Sequence, residues 1–370
     1  MPQTFTARRL LTPQGMIDHP VITVVDGLIQ SIETAASSNE DTTLTATFVD
    51  IHMHGAASHD VMEATPEAMA TVSRFLATRG VGRYLPTTVT APIERTLRSL
   101  EGIADAIEKP VSGAATPIGI HLEGPFISHV KRGVHPPEFI LPASIALFDR
   151  FQQAARGHIR LMTIAPESEG ALELIEHATK RGVKLSLGHS NATAAETLAG
   201  VALGATSATH TYNAMRPLGH REPGILGTVL DNDRLFSELI CDGIHVSPEL
   251  VRLWLKAKGV NKAILVTDSM GAAGMSDGVY TLGTFPVTVA NGRAISDGHL
   301  AGSVLTMDRA VANLQQFTGA SLETAVRLAS TNPATMLGVE SAIAPGQPAN
   351  FNLFNADGRL QATILDGVQV

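Results

Sequence analysis

The run FVDIHMH at residues 48–54 carries an apolar strand and two imidazoles in seven positions. In an extended chain alternate side chains share a face, so His52 and His54 emerge on the same side near the end of the run. Seven more short apolar runs follow, each closing in polar or glycine-containing residues: RYLPTT (83–88), PIGIHLEG (117–124), IRLMTIAP (159–166), VKLSLGH (183–189), TSATHTYN (206–213), LFSELICDG (235–243) and KAILVTD (262–268). Such continuous runs suit parallel strands covered on both faces. Helix-like segments separate most of them. Thr65–Gly80 opens with a Thr-Pro cap and stops at glycine, and 92–109, 169–182 and 247–259 obey similar rules. The gaps between runs three and four and between six and seven are less distinct. Eight strands alternating with helices predict an α/β fold, a (β/α)8 TIM-type barrel, over residues 48–343.

The ends follow another pattern. Residues 1–47 and 344–370 hold short period-2 stretches with Asp-Gly turns, read as the two halves of one small β-sandwich domain. Residues 275–299 read as a β-hairpin excursion. Residues 303–338 read as helical, with Ser321 and Asn332 as cap candidates.

Composition narrows the field. With 44% hydrophobic and 17% charged residues the chain can bury a large core, which excludes wholesale disorder. Acidic side chains outnumber basic ones, 35 to 27, which argues against a nucleic-acid-binding surface. One cysteine excludes an internal disulfide and a cysteine-based zinc site. One tryptophan and three tyrosines leave few platforms for a long glycan. Thr197–Met215 lacks charge, but its Ala, Gly and Thr content reads as a helix and a buried strand, so no membrane span is expected. The N-terminus MPQTFTARRLLTPQG has no apolar core of a signal peptide, and a cytoplasmic protein is the expectation.

In such a barrel the side chains at the C-terminal strand ends face the active site. Those positions hold His52, His54, Glu123, His189, His210 and Asp268. Each has an ordinary alternative: a hydrogen-bonded structural histidine, a carboxylate capping a turn at Glu123, a helix cap at Asp268. Convergence of all six on one rim points instead to a divalent metal with nitrogen and oxygen ligands. Cys241 reads as a core filler, and His19, His158 and His177 as surface residues.

The pieces FVDIHMHG, YLPTTVT, GIHLEGPFIS, KRGVHPPEF, LGHSNA, THTYNAM, REPG, CDGIHV, VTDSM, LAGSVLTMDRAV and ASTNPATMLGV occur in one order over nearly the whole chain. In these the chain resembles the amidohydrolase superfamily and, within it, the family of N-acetylglucosamine-6-phosphate deacetylases. The resemblance implies hydrolysis of N-acetylglucosamine 6-phosphate to glucosamine 6-phosphate and acetate. It assigns Glu123, His189 and His210 to a main metal site and His52 and His54 to a second one with Glu123 bridging, for one or two ions per subunit, zinc or iron first among the candidates. Strand four has no lysine for carbamylation, which favours the Glu-bridged branch.

The same resemblance makes Asp268 the proton carrier, base and then acid, and His135 the support of the acyl oxygen. Asn213 and Ala214 form a turn whose N–H groups suit an anion. Arg221 is matched to a phosphate ligand that reaches the neighbouring subunit's site, which implies a homodimer. His245 is matched to the sugar phosphate, Val134 to a backbone contact, and Leu300, Ala301 and Gly302 to the acetyl-sugar pocket. The chain departs from the pattern at His220, where glycine is usual, and in ANFNLF, which lacks a frequent Asp. The alternatives weighed are a deacetylase of a related amino-sugar phosphate such as the galactosamine epimer, a cyclic-amide hydrolase on the same barrel, and a non-catalytic binding barrel.

Overall fold

A computed structural model describes residues 2–38 and 40–370. Each of the eight apolar runs forms a strand: β1 (Phe48–Met53), β2 (Val81–Thr88), β3 (Ile120–Glu123), β4 (Ile159–Ile164), β5 (Lys184–Leu187), β6 (Ala205–Ala208), β7 (Phe236–Ile240) and β8 (Ala263–Val266). All pair in parallel in sequence order. The ring closes past the strand ends, through a parallel bridge of Met53 with Ser269 and the Asp268 N–H donated to His52 O at 2.8 Å. His52, His54 and Asp268 therefore meet at the seam.

Seven helices return the chain to the next strand and an eighth follows β8: α1 (Pro66–Ala77), α2 (Ile93–Glu108), α3 (Ile145–Ala154), α4 (Ala171–Lys180), α5 (Ala194–Ala202), α6 (Gly224–Asp231), α7 (Pro248–Lys258) and α8 (Met307–Thr318). The two indistinct gaps hold α3 and α6. A long loop precedes α3, and α6 is short and buried from Gly224 to Val229, so it lacks the polar face that marks a surface helix. Thr65 caps α1 as expected, accepting from Ala68 N at 3.2 Å. Gly80 takes φ 83° after α1, and a Cβ there would lie 2.6 Å from the Phe48 ring. The uncharged stretch 197–215 contains the end of α5 and β6. Among the described residues no helix is long and apolar enough to cross a membrane.

The terminal segments interleave. One six-stranded sheet runs Val368–Gln369, Leu360–Leu365, Phe351–Phe354, Thr43–Ala46, Arg9–Thr12, Gly15–Asp18; a second holds Gln3–Thr6, Pro20–Val25 and Leu28–Thr34. Leu10, Ile22, Val24, Ile29, Leu44, Phe351 and Ile364 fill the space between them, giving the small β-sandwich. Residues 278–300 form four short antiparallel strands, two more than a hairpin. Ser321 caps its helix, accepting from Thr324 N at 3.2 Å. Asn332 does not cap: its amide donates to Val260 O (2.8 Å) and Ala263 O (2.6 Å), tying the terminal helices to the entry of β8.

A ladder of side chains crosses the barrel below the strand ends. His121 Nε2 meets Thr163 Oγ1 at 2.8 Å, Thr163 meets Thr209 at 2.8 Å, and Thr209 donates to Ser186 at 2.7 Å. Burial pushes His121 well below its ordinary pKa, so it is a neutral member of this floor.

Candidate metal and catalytic centre

Glu123 ends β3 and is buried at the barrel mouth. Four imidazoles surround its carboxylate. The Nε2 atoms of His189 and His210 each lie 3.3 Å from Oε1, that of His52 lies 3.4 Å from Oε1, and that of His54 lies 3.3 Å from Oε2. Asp268 completes the group, 3.0 Å from His54 Nε2 and 3.6 Å from His52 Nε2. These side chains form two triads, His52–His54–Asp268 and Glu123–His189–His210, the ligand atoms of each within 4.8 Å of one another. All six predicted strand-end residues thus converge. His189, His210 and Asp268 leave their strands in the left-handed region, at φ 46°, 29° and 49°, an arrangement that costs roughly 1–3 kcal/mol per residue.

The far nitrogens fix which way the rings face. His54 Nδ1 donates to Thr87 O at 2.9 Å and His189 Nδ1 to Lys131 O at 2.9 Å; both acceptors are carbonyls, so both Nε2 atoms carry a lone pair. His52 Nδ1 meets the Glu238 carboxylate at 3.1 Å with the same result. Lone pairs and carboxylate oxygens thus converge, and Glu123 Oε1 and His52 Nε2 are buried without a hydrogen-bond partner. A neutral protein interior does not tolerate that arrangement, whereas one or two divalent cations satisfy it. The donors fit a metal.

The electrostatics agree. Burial opposes charge on Glu123, but His52 and the surrounding imidazoles hold it well below the usual carboxylate range. Asp268 is lowered in the same way by His52 and His54 against its burial. Burial would lower His54, yet hydrogen bonds to Asp268 and Glu123 lift it to about 9, so near neutrality its Nε2 holds a proton unless a metal ion takes that place. The centre therefore attracts positive charge.

His135 lies on the long loop after β3 and faces the same carboxylate, its Nε2 3.8 Å from Glu123 Oε2. Its Nδ1 lies 2.7 Å from Thr90 Oγ1 and accepts from the Thr90 N–H at 3.3 Å; with Nδ1 as the acceptor of both, the ring proton is on Nε2, toward the cleft. Burial pushes this imidazole down to about 3. It is a neutral donor. Thr90 reaches it because Gly124 has no side chain: a Cβ there would lie 2.1 Å from Thr90 Oγ1.

A cleft of about 460 Å³ opens above the centre. Val134, Asn213, Ala214, His245, Leu300 and Gly302 line it. Ala301 does not; it is buried with Met270 and Ala272 behind the wall, because the strand 299–300 turns it inward. Arg221 is exposed and outside this lining, beside exposed His220. In the THTYNAM turn His210, Tyr212 and Ala214 have positive φ. The Asn213 N–H is donated to His210 O at 3.0 Å and so faces away from a ligand; among the described residues the Ala214 N–H makes no such backbone bond. His245 Nδ1 meets Asp242 Oδ2 at 2.6 Å, and Asp242 Oδ1 accepts from the His245 N–H at 2.8 Å. Cys241 is buried, its thiol raised by burial, as a core filler should be.

Several residues at the site were not anticipated. Glu238 and Asp242 lie inside the run LFSELICDG, the seventh strand and its end. His129, Lys131 and Arg132 line the cleft from the loop before His135, and Leu282, Phe285 and His299 line it from the excursion. The dense basic string HVKR was a usable signal for the first group; no local pattern marked the second.

An amidohydrolase family model matches residues 43–370. The N-acetylgalactosamine-6-phosphate deacetylase of Escherichia coli O157:H7 is 37% identical, with 99% of each chain covered. The N-acetylglucosamine-6-phosphate deacetylase of Bacillus subtilis is 36% identical over 97% of this chain and 94% of its own. A variant of the N-acetyl-D-glucosamine-6-phosphate deacetylase of Mycobacterium smegmatis, solved in complex with N-acetyl-D-glucosamine-6-phosphate, superposes with a TM-score of 0.94 at 32% identity, covering 100% of this chain and 99% of that one. With two nitrogen- and oxygen-rich triads at the mouth of a closed parallel barrel and a match over this span, the chain belongs to the amidohydrolase family.

Proposed function

We propose that this protein hydrolyses N-acetyl-D-glucosamine 6-phosphate to D-glucosamine 6-phosphate and acetate. The observation that carries this reading is the Glu123 carboxylate ringed by four imidazole Nε2 atoms at the foot of a cleft that also holds His245. Glu123, His189 and His210 would hold one divalent ion and His52, His54 and Asp268 a second, with zinc or iron the first candidates. When bound, such an ion polarises an acyl oxygen and makes water acidic enough to attack an amide near neutral pH.

The chain's own groups supply the rest. Asp268, ionised and at the seam, takes a proton from the attacking water and delivers it to the departing amine, so one carboxylate serves both halves of the reaction. His135 presents its Nε2–H to the acyl oxygen as negative charge grows there. His245, held by Asp242, and the Ala214 N–H face the phosphate, with the Asn213 side chain beside them. Val134, Leu300 and Gly302 bound the sugar.

We read the working form as a cytoplasmic homodimer. Arg221, exposed and outside its own protomer's cleft, would meet the phosphate in the neighbour's site.

One observation favours a second reading. The E. coli relative, matched end to end, is named for the galactosamine epimer. Acetate release from the two phosphorylated epimers and from free N-acetylglucosamine, with elemental analysis of the purified protein, separates the cases. Faster turnover of the galactosamine epimer would favour the second reading. Equal turnover of free and phosphorylated sugar, or a protein active without metal, would sink both.

A further inference from the structure

Glu238 is a buried carboxylate that the reaction as described does not use. It lies in the middle of β7, among Phe236, Leu239 and Ile240. Its Oε2 accepts from His52 Nδ1 at 3.1 Å and from the His210 N–H at 3.3 Å, and its backbone carbonyl accepts from the Thr211 N–H at 2.8 Å. Its other oxygen is buried without a partner. Among the described residues His52 is its one ion-pair partner.

The other rings are oriented differently. His54 and His189 donate to neutral backbone carbonyls, and His210 Nδ1 has no partner. Of the four rings around Glu123, among the described residues only His52 turns its far nitrogen to a carboxylate. An imidazole whose far N–H is bonded to a carboxylate is a stronger base at its near nitrogen and is locked in one orientation. Burying an anion in an apolar strand is costly unless a charge beside it compensates. Here the compensating charge lies across the ring: Glu238 is separated from the His52–His54–Asp268 triad by the thickness of one imidazole. The same Oε2 also grips the backbone of His210, a member of the other triad, so one carboxylate ties the two triads together.

We propose that Glu238 is a positioning residue that acts through His52 to set how tightly the His52–His54–Asp268 triad holds its own divalent ion. The inference rests on the metal-centre reading above and adds to it the residue that governs the second ion.

The test is a titration of the full-length, chelator-stripped chain with Co2+, followed by visible absorption and by elemental analysis after dialysis, in wild type and Glu238→Gln. Wild type takes up two ions. In the variant the ion of the Glu123–His189–His210 triad, the main site by resemblance and so the tighter one, binds within about threefold of wild type, while the ion of the His52–His54–Asp268 triad loses ten- to a hundredfold in affinity, the usual cost of removing such a partner. Glu238→Met puts no second donor against the His210 N–H and gives the same readout should the Gln chain not fold. Two ions bound equally well by wild type and variant overturn the role of Glu238 and leave the metal-centre reading standing. So does an equal weakening of both ions, which assigns Glu238 to the fold alone. Saturation of wild type at one ion overturns the proposal as well. A wild-type chain that takes up no ion removes the metal-centre reading itself.

Discussion

The Nε2 atoms of His189 and His210 stand 3.0 Å apart, and the His189 nitrogen is a lone pair because its Nδ1 is committed to Lys131 O. Such a pair is joined by a proton on His210 Nε2 or by a cation, and the Glu123 oxygen 3.3 Å from both nitrogens favours the cation. Chelation should therefore abolish turnover, and a divalent ion should restore it. It should also lower the melting temperature, since an ion at a hundred times its Kd stabilises the folded chain by about 2.7 kcal/mol. His189→Ala and His210→Ala should each remove the tighter ion and reduce kcat by a thousandfold or more. Full turnover by the stripped protein would contradict the arrangement.

Asp268 touches both rings of the other triad, at 3.0 Å from His54 and 3.6 Å from His52, yet it is not among the groups around Glu123 Oε1. Asp268→Asn keeps the shape and removes the proton carrier. We expect the ion at Glu123, His189 and His210 to stay bound and kcat to fall by roughly 10²–10⁴, the span of general acid–base catalysis. Unchanged turnover with metal retained would assign the proton to another group.

The strand-end residues were legible because a parallel barrel makes position along a strand predict position in space. His52 and His54 share a face by period 2, and Asp268 follows an apolar run that could only be the eighth strand. Glu238 was not legible. Its neighbours on β7 are apolar, and a carboxylate there gains meaning only when β1 is known to lie opposite, an association separated by 186 residues. Leu282 and Phe285 were hidden for a related reason: an excursion outside the barrel rhythm gives no sign of which face it covers. Asn332 had the composition of a cap, but its amide found strand carbonyls instead, a tertiary contact overriding a local preference.

His245 gives a pH dependence with a definite sign. Burial alone would lower its pKa, but the hydrogen bond and charge of Asp242 outweigh burial and raise it. Below about 6.5 the ring is protonated whether held or free. Between there and its raised value only the folded protein keeps the charge, and above that value the charge is lost. KM for a phosphorylated sugar should thus stay low up to the raised pKa and climb as pH passes it. The ion pair's contribution to stability should fade over the same interval. Asp242→Asn should move the climb to lower pH and raise KM about tenfold in the interval between the two climbs, with kcat little altered. A KM profile unmoved by this substitution would remove His245 from phosphate binding.

Arg221 supplies the last prediction, because its place outside its own cleft makes a claim about the assembly. Arg221→Ala should raise KM for the phosphorylated sugar far more than for the free one; equal effects on both would end the phosphate role. If the guanidinium serves the neighbouring site, Arg221→Ala and Asp268→Asn chains should complement each other. In a mixed dimer the Arg221→Ala subunit keeps its own Asp268 and receives Arg221 from its partner, so one complete site forms from two defective parents. Co-refolded mixtures should then regain up to about a quarter of wild-type activity, since half of randomly paired dimers are mixed and each carries one working site of two. Activity no greater than the average of the two parents would place Arg221 in the site of its own chain or in none.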